Sequence, residues 1–337
     1  MDLDQRAQAG YRIPQQGTPL PLAPAGPRSP HESFPVMTLF DSLALATLPL
    51  IPTPLMRSLA SRYIAGERLD QAMERLQKLA DRGFTGIIDL LGEDIRDEAE
   101  ARQVAESYKA AADAVAQADL DAYVSVKPTH VGLNFSEDLC FDLYSDIAEH
   151  SAKLGLFMRV EMEDHPTTDG TLRVFERLRE RHDNVGIVLQ SRLFRTLEDI
   201  DKLAPGPLNV RMVKGIYLEP AEIAHLDPEP IREAYLECTR KLFDRDAYIS
   251  FATHDERMAA QLLSEVKQRG LGTDRYEFQV LMGVREPLWE EWRDAGHPVR
   301  VYVPYGPQWR PYSQRRLKKN PQLFHHLLKD TLFFWRR

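Results

Sequence analysis

Near the C-terminus, Tyr302-Val303-Pro304-Tyr305-Gly306 is followed by Tyr312-Ser313-Gln314-Arg315-Arg316, a strand-like run leading to a tyrosine and an arginine pair. The planar fork of arginine suits a carboxylate. Residues four apart share a helix face, so Tyr312 and Arg316 stand together with Arg315 beside them. The group reads as a clamp for the carboxylate of an amino acid. An isolated arginine pair would be solvated helix surface; what raises it to a candidate is a second set of residues upstream. Lys127, Glu161, Glu163, Gln190, Arg211, Lys214 and His254 each fall at or just past the end of an apolar run, and Tyr302 adds a phenol near the end of another.

Those runs are the elements that must position the chemistry. Strands are expected at 85–90, 122–127, 156–161, 186–190, 209–213, 248–253, 277–281 and 299–303. Segments with helical apolar spacing lie between them, including 97–118, 137–154, 171–181, 255–269 and 286–295. The strands read as compact apolar runs, as expected for parallel strands covered on both faces. About eight strand–helix units favour a closed (β/α)8 barrel over an open doubly wound sheet, and no Gly-x-Gly-x-x-Gly turn follows the first strand. In such a barrel functional residues gather at the C-terminal ends of the strands, where the polar residues named above fall.

Composition bounds the remaining choices. With 337 residues, 43% hydrophobic and 28% charged, the chain is ordinary for a globular protein. A formal net charge of -8 argues against nucleic acid as a partner. Cys140 and Cys238 are far apart, without metal-ligand spacing, and are expected to be free buried thiols; no metal site is expected. Residues 1–36 carry Pro19, Pro21, Pro24, Pro27 and Pro30 without periodicity and are expected to be a disordered head. The apolar stretch 38–63 is broken by Asp41, Pro49, Pro52, Pro54 and Arg57, and is not expected to span a bilayer. The division expected is a helical arm over 37–80, the barrel over 81–320 and an amphipathic helix over 321–337.

The motif Arg211-Met212-Val213-Lys214-Gly215-Ile216-Tyr217 carries a resemblance, together with Ser125-Val126-Lys127, Phe251-Ala252-Thr253-His254, Phe278-Gln279-Val280-Leu281-Met282-Gly283 and Tyr312-x-x-Arg315-Arg316. The set, spread over about 69–320, resembles the proline dehydrogenase family in its monofunctional bacterial form. The resemblance implies a distorted (β/α)8 TIM-type barrel of the α/β class, with an N-terminal helical segment and a C-terminal helix over the mouth. It implies FAD bound non-covalently at the strand ends. Arg315 and Arg316, helped by Lys127, are then expected on the substrate carboxylate, with Tyr302, Tyr312, Leu281 and Tyr217 around the ring. Glu161 stands where the family usually has aspartate, hydrogen-bonded near Lys127. For the cofactor, the resemblance assigns Arg211 to the flavin N5, Gln190 to its pyrimidine side, and Met162, Val213, Lys214, Gly215, Thr253, His254 and Arg316 to further contacts. Lys319 replaces an acid that gates the substrate in many members.

The reaction implied is oxidation of L-proline to Δ1-pyrroline-5-carboxylate by hydride transfer from proline C5 to flavin N5, with a membrane quinone reoxidising the cofactor. A general base is not evident. The expected location is cytoplasmic, with room for peripheral contact with the inner face of the membrane through 38–63 or the aromatic tail, and for a homo-oligomer. The alternatives are a flavin barrel reductase of the folate type, which has no need of the paired arginines, and a barrel that binds without catalysis. A glycosidase using Glu161 and Glu163 is disfavoured by their expected divergence on a strand.

Overall fold

A computed structural model describes residues 53–92 and 95–313. Arg315, Arg316, Lys319, the head and the 321–337 tail lie outside the described residues. Eight strands pair in parallel in chain order: β1 (Thr85–Leu90), β2 (Ala122–Val126), β3 (Met158–Val160), β4 (Val185–Gln190), β5 (Asn209–Val213), β6 (Tyr248–Ala252), β7 (Tyr276–Leu281) and β8 (Val299–Tyr305). β8 returns to β1 along its whole length, from Thr85 opposite Arg300 to Leu90 opposite Tyr305, and closes the barrel. Two helices precede it, α1 (Thr53–Ala60) and α2 (Leu69–Ala80). Seven follow β1 to β7 in turn: α3 (Glu98–Gln117), α4 (Glu137–Lys153), α5 (His165–Arg179), α6 (Thr196–Lys202), α7 (Pro228–Asp244), α8 (Glu256–Gln268) and α9 (Glu286–Asp294). Residues 309–313 are helical.

The expected barrel is present, but its strands are not uniformly apolar. Side chains from Tyr123, Ser125, Arg159, Arg211, Ser250, Glu277, Gln279 and Tyr302 meet across the barrel, which puts them inside. Gln279 Nε2 on β7 reaches Tyr123 Oη on β2 at 2.7 Å, and the Arg159 guanidinium on β3 lies 5.8 Å from the Tyr123 ring. The intervening residues, among them Val124, Val126, Val160, Met212, Ile249, Phe251, Val301 and Val303, belong to the apolar core shared with the helices. β2, β3, β5, β7 and β8 therefore alternate with period two, apolar outward and polar inward, whereas β4 is apolar on successive residues up to Gln190. The run Arg159-Val160-Glu161-Met162 already carries that alternation. Gly186 makes the polar interior possible, because a Cβ there would stand 2.5 Å from Asn209 O and 2.6 Å from Arg159 Nη1.

Local signals place the helices. Asp97, Ser136 and Asp255 cap α3, α4 and α8 through backbone amides of the first turn. The expected helix at 171–181 starts earlier, at His165, because Pro166 suits a first turn and does not break the helix there. Buried Tyr144 of α4 and Tyr235 of α7 donate to Val126 O and Met212 O at 2.7 Å, fastening helices to the ends of β2 and β5. Both cysteines are free and buried.

The segment before the barrel is bonded to it. Ala65 N donates to Pro304 O and Gly306 N to Gly66 O, each at 2.9 Å, and α2 packs on β1 and β8. Trp309 Nε1 donates to Glu67 Oε1 at 2.8 Å, and Arg57, paired with Glu67, lies 5.5 Å from the Trp309 ring.

His130, in the 3-10 turn after β2, is buried with its Nδ1 3.3 Å from Tyr108 Oη. Burial, with the Lys127 charge second, depresses its pKa from 6.5 to about 3. The unfolded chain therefore takes up a proton below pH 6.5 that the fold refuses. Stability from this residue is present above pH 6.5 and is lost as pH falls toward 3, at up to about 1.4 kcal/mol per pH unit. Urea midpoints measured from pH 7 to 4 are expected to fall less steeply in His130→Asn than in the parent; equal slopes would contradict the assignment.

Candidate active site at the barrel mouth

Two ion pairs sit at the strand ends. Lys127, just past β2, places Nζ 2.5 Å from Asp89 Oδ1 on β1, with the carboxylate 1% exposed. Arg211 on β5 places Nη1 2.5 Å from Glu161 Oε1, just past β3. Tyr302 on β8 donates to the same Glu161 oxygen at 3.3 Å, Ser125 Oγ donates to it as well, and the Arg211 guanidinium lies 5.4 Å from the Tyr302 ring. Arg211 Nε is held by Gln279 Oε1 at 2.5 Å. Burial opposes ionisation of Glu161, but the Arg211 charge, the Ser125 hydrogen bond and the Lys127 charge together more than offset it and hold the carboxyl below its usual range. Burial pushes Asp89 up to about 6 against the pull of Lys127. Burial alone would lower Lys127; the charge and hydrogen bond of Asp89, with Tyr108 and Glu161 adding to them, raise it overall. Glu161 thus lies close enough to Lys127 for the two charges to interact, as expected, and pairs directly with Arg211. The partner of Lys127 is Asp89, whose signal was a lone acid inside the apolar run Gly86-Ile87-Ile88-Asp89-Leu90.

Glu163 serves a different purpose, accepting from Thr129 N and Oγ1 at 2.9 Å each and so pinning the turn after β2. The divergence from Glu161 is observed but has another cause than the expected one. Strand residues two apart share a face; these two separate because β3 ends at Val160.

Around the rest of the rim the backbone and several polar groups face one another. Gln190 Nε2 donates to Glu163 O at 2.7 Å, while its Oε1 is buried without a hydrogen-bond partner. Gly215 has φ +97°, and a Cβ there would lie 2.8 Å from Gln190 Oε1. Lys214 Nζ and Arg232 Nε both reach Asp255 Oδ2, at 2.7 and 2.6 Å. Thr253 Oγ1 accepts from Asp255 N at 3.0 Å. His254 Nε2 accepts from Leu281 N at 3.0 Å, which ties the β6 and β7 loops and occupies the nitrogen a base would use. Met162 turns its side chain into the outer core, and Val213 closes β5 half-buried. In the β5 loop Tyr217 is half-buried, its carbonyl accepting from Arg192.

The structure therefore gathers Lys127, Glu161, Gln190, Arg211, Lys214, Gly215, Thr253, His254, Leu281 and Tyr302 at one end of the barrel. Tyr312 is half-buried in the 309–313 helical segment; Arg315 and Arg316 lie outside the described residues. Sequence reasoning missed Asp89, Asp255 and the Gln279 bond to Arg211. A separate cavity of about 150 Å³, lined by Leu193, Phe194, Leu197, His225 and Cys238, lies against α6 and α7.

The charged, partly unsatisfied mouth fits the comparisons with known proteins. The proline dehydrogenase family profile matches residues 72–323. Proline dehydrogenase of Deinococcus radiodurans is 37% identical over 275 residues, covering 79% of this chain and 88% of that protein. Proline dehydrogenase 1 of Bacillus subtilis is 32% identical over 273 residues, covering 81% and 90%. Among solved structures, proline utilization A of Bdellovibrio bacteriovorus, inactivated by N-propargylglycine, superposes with a TM-score of 0.72 at 24% identity, over 77% of this chain and 32% of that one; this likeness bears on the fold. The chain belongs to the proline dehydrogenase family.

Proposed function

We propose that this chain oxidises L-proline to Δ1-pyrroline-5-carboxylate, the first step of proline catabolism, with FAD bound over the strand ends. The family match over residues 72–323 carries this reading. The mouth fits a flavin: Gln190 Oε1 is a buried acceptor in need of a donor, which the N–H of a flavin pyrimidine ring supplies, and the space beside Gly215 is space a side chain would fill. Gln190 and Gly215 are then cofactor contacts, with Val213, Lys214, Thr253, His254 and the Met162 backbone along the rim. Because Arg232 also binds Asp255, Lys214 can turn to a diphosphate without leaving that carboxylate unpaired. FAD, when bound, supplies the hydride acceptor.

The protein's own part is orientation and charge. Lys127 with Arg315 and Arg316 holds the substrate carboxylate, and Tyr302, Tyr312, Leu281 and Tyr217 wall the ring and exclude water. Arg211 presents positive charge where negative charge develops on oxidation of the substrate. Glu161 is shared among three donors, which makes it an orienting group for Arg211 and Tyr302 and a poor proton acceptor. Reoxidation is assigned to a membrane quinone reached from the cytoplasmic side; among the described residues no helix is long and apolar enough to cross a membrane.

Three measurements test these roles. The purified chain is expected to show flavin absorbance in the visible range that bleaches when L-proline is added without air. A coloured protein that proline leaves unchanged would remove proline as substrate, and a colourless one that FAD does not reconstitute would remove the cofactor. Gly215→Val adds a branched side chain at a left-handed backbone position, against a strain of about 1–2 kcal/mol. It is expected to weaken FAD binding at least about tenfold, which is about 1.4 kcal/mol, as read by fluorescence titration; unchanged affinity would reject the cradle. Lys127→Met leaves Asp89 buried alone and is expected to lower stability by about 3–5 kcal/mol. Adding Asp89→Asn is expected to restore the melting temperature but not the KM for proline; recovery of both would limit Lys127 to a structural role.

A further inference from the structure

A chain of hydrogen bonds runs along the barrel from its N-terminal rim to the mouth. Asp121, at the outer rim with its side chain 69% exposed, accepts from Arg300 Nη1 at 3.0 Å. Arg300 Nε donates to Glu277 Oε2 at 2.9 Å, and Gln279 Nε2 donates to Glu277 Oε1 at 2.5 Å. Gln279 Oε1 accepts from Arg211 Nε, and Arg211 Nη1 reaches Glu161. Gln279 is the neutral link, and its amide has one workable orientation: oxygen toward the guanidinium, nitrogen toward the carboxylate. Arg211 is thereby fixed from two sides, by Gln279 below and Glu161 at the mouth.

The charges along the axis are paired but unequally screened. Among the described residues the cations Lys127, Arg159, Arg211 and Arg300 stand with the anions Asp89, Glu161 and Glu277 inside the barrel and Asp121 at its exposed rim. Glu277 and Arg300 are both 3% exposed at the side chain, so water screens them little. A charge one amide away from Arg211 is felt at the mouth.

We propose that Glu277 and Gln279 are positioning residues for the reaction, fixing Arg211 and setting the electrostatic potential beneath the bound flavin, and hence its reduction potential. The inference rests on the flavin reading above. Glu277 tempers the positive charge of Arg300 and Arg211; without it the mouth is more positive, and a cofactor that gains negative charge on two-electron reduction is easier to reduce. Gln279 sets the angle at which Arg211 presents its charge.

The experiment uses the full chain loaded with FAD and measures the flavin midpoint potential by dye equilibration and the rate of flavin reduction by proline. Glu277→Gln is expected to shift the reduction equilibrium at least tenfold toward the reduced form, a rise of about 30 mV for a two-electron couple. Gln279→Leu keeps every charge, and is expected to slow reduction by proline at least tenfold while the Kd for proline changes less than twofold. A residue serving stability alone would lower the melting temperature and leave the potential and rate of the loaded fraction unchanged. That result in both variants overturns the proposal. Where Glu277→Gln does not fold, Gln279→Leu decides, a parental rate overturning the role. A parent chain that takes up no flavin overturns the functional reading itself, an outcome distinct from a yellow protein whose potential does not move.

Discussion

Charges taken out of water are costly unless each finds a partner, and the interior of this barrel is filled with them. Interior positions of (β/α)8 barrels are usually dominated by bulky branched apolar residues. Here Arg159 bonds Asn209 O at 2.8 Å, Arg300 bonds Glu277, and Arg211 bonds Glu161 and Gln279. The partners lie on different strands. A slip of one residue would turn every one of these groups outward into the apolar layer. The ion network therefore specifies register with a sharpness that an apolar filling would lack.

The same alternation divides the labour of the strands that carry it. Outward residues hold the helices through apolar burial, the largest favourable term in folding. Inward residues hold one another and, at the mouth, run out of partners. Gln190 Oε1 and Asp89 Oδ2 are buried polar atoms without one, and such groups are rare enough in folded proteins to call for a reason. Arg159 Nε, inside the barrel, is another such atom, so the shortfall is not confined to the mouth.

The sequence made the barrel legible because eight apolar runs stood at regular intervals between helical segments, and β1 and β5 begin and end where the pattern put them. Lys127, Glu161, Gln190, Arg211 and Tyr302 were legible as polar residues at the ends of those runs. What pattern alone did not give was pairing. Asp89 and Lys127 are 38 residues apart, and Arg211 and Gln279 are 68 apart; which acid meets which base depends on closure of the sheet, and no local spacing encodes it. The helix expected at 171–181 starts at His165, with Pro166 in its first turn.

The contact of Trp309 with Glu67 and Arg57 bears on where this protein begins as a physical object. The segment that leads to Tyr312 is seated on residues that precede the first strand, and Glu67 lies upstream of position 72, where the family likeness starts. A fragment trimmed to the likeness would keep all eight strands and lose the seat of the helical segment 309–313. The portion of the chain recognisable by descent starts after a residue that segment rests on.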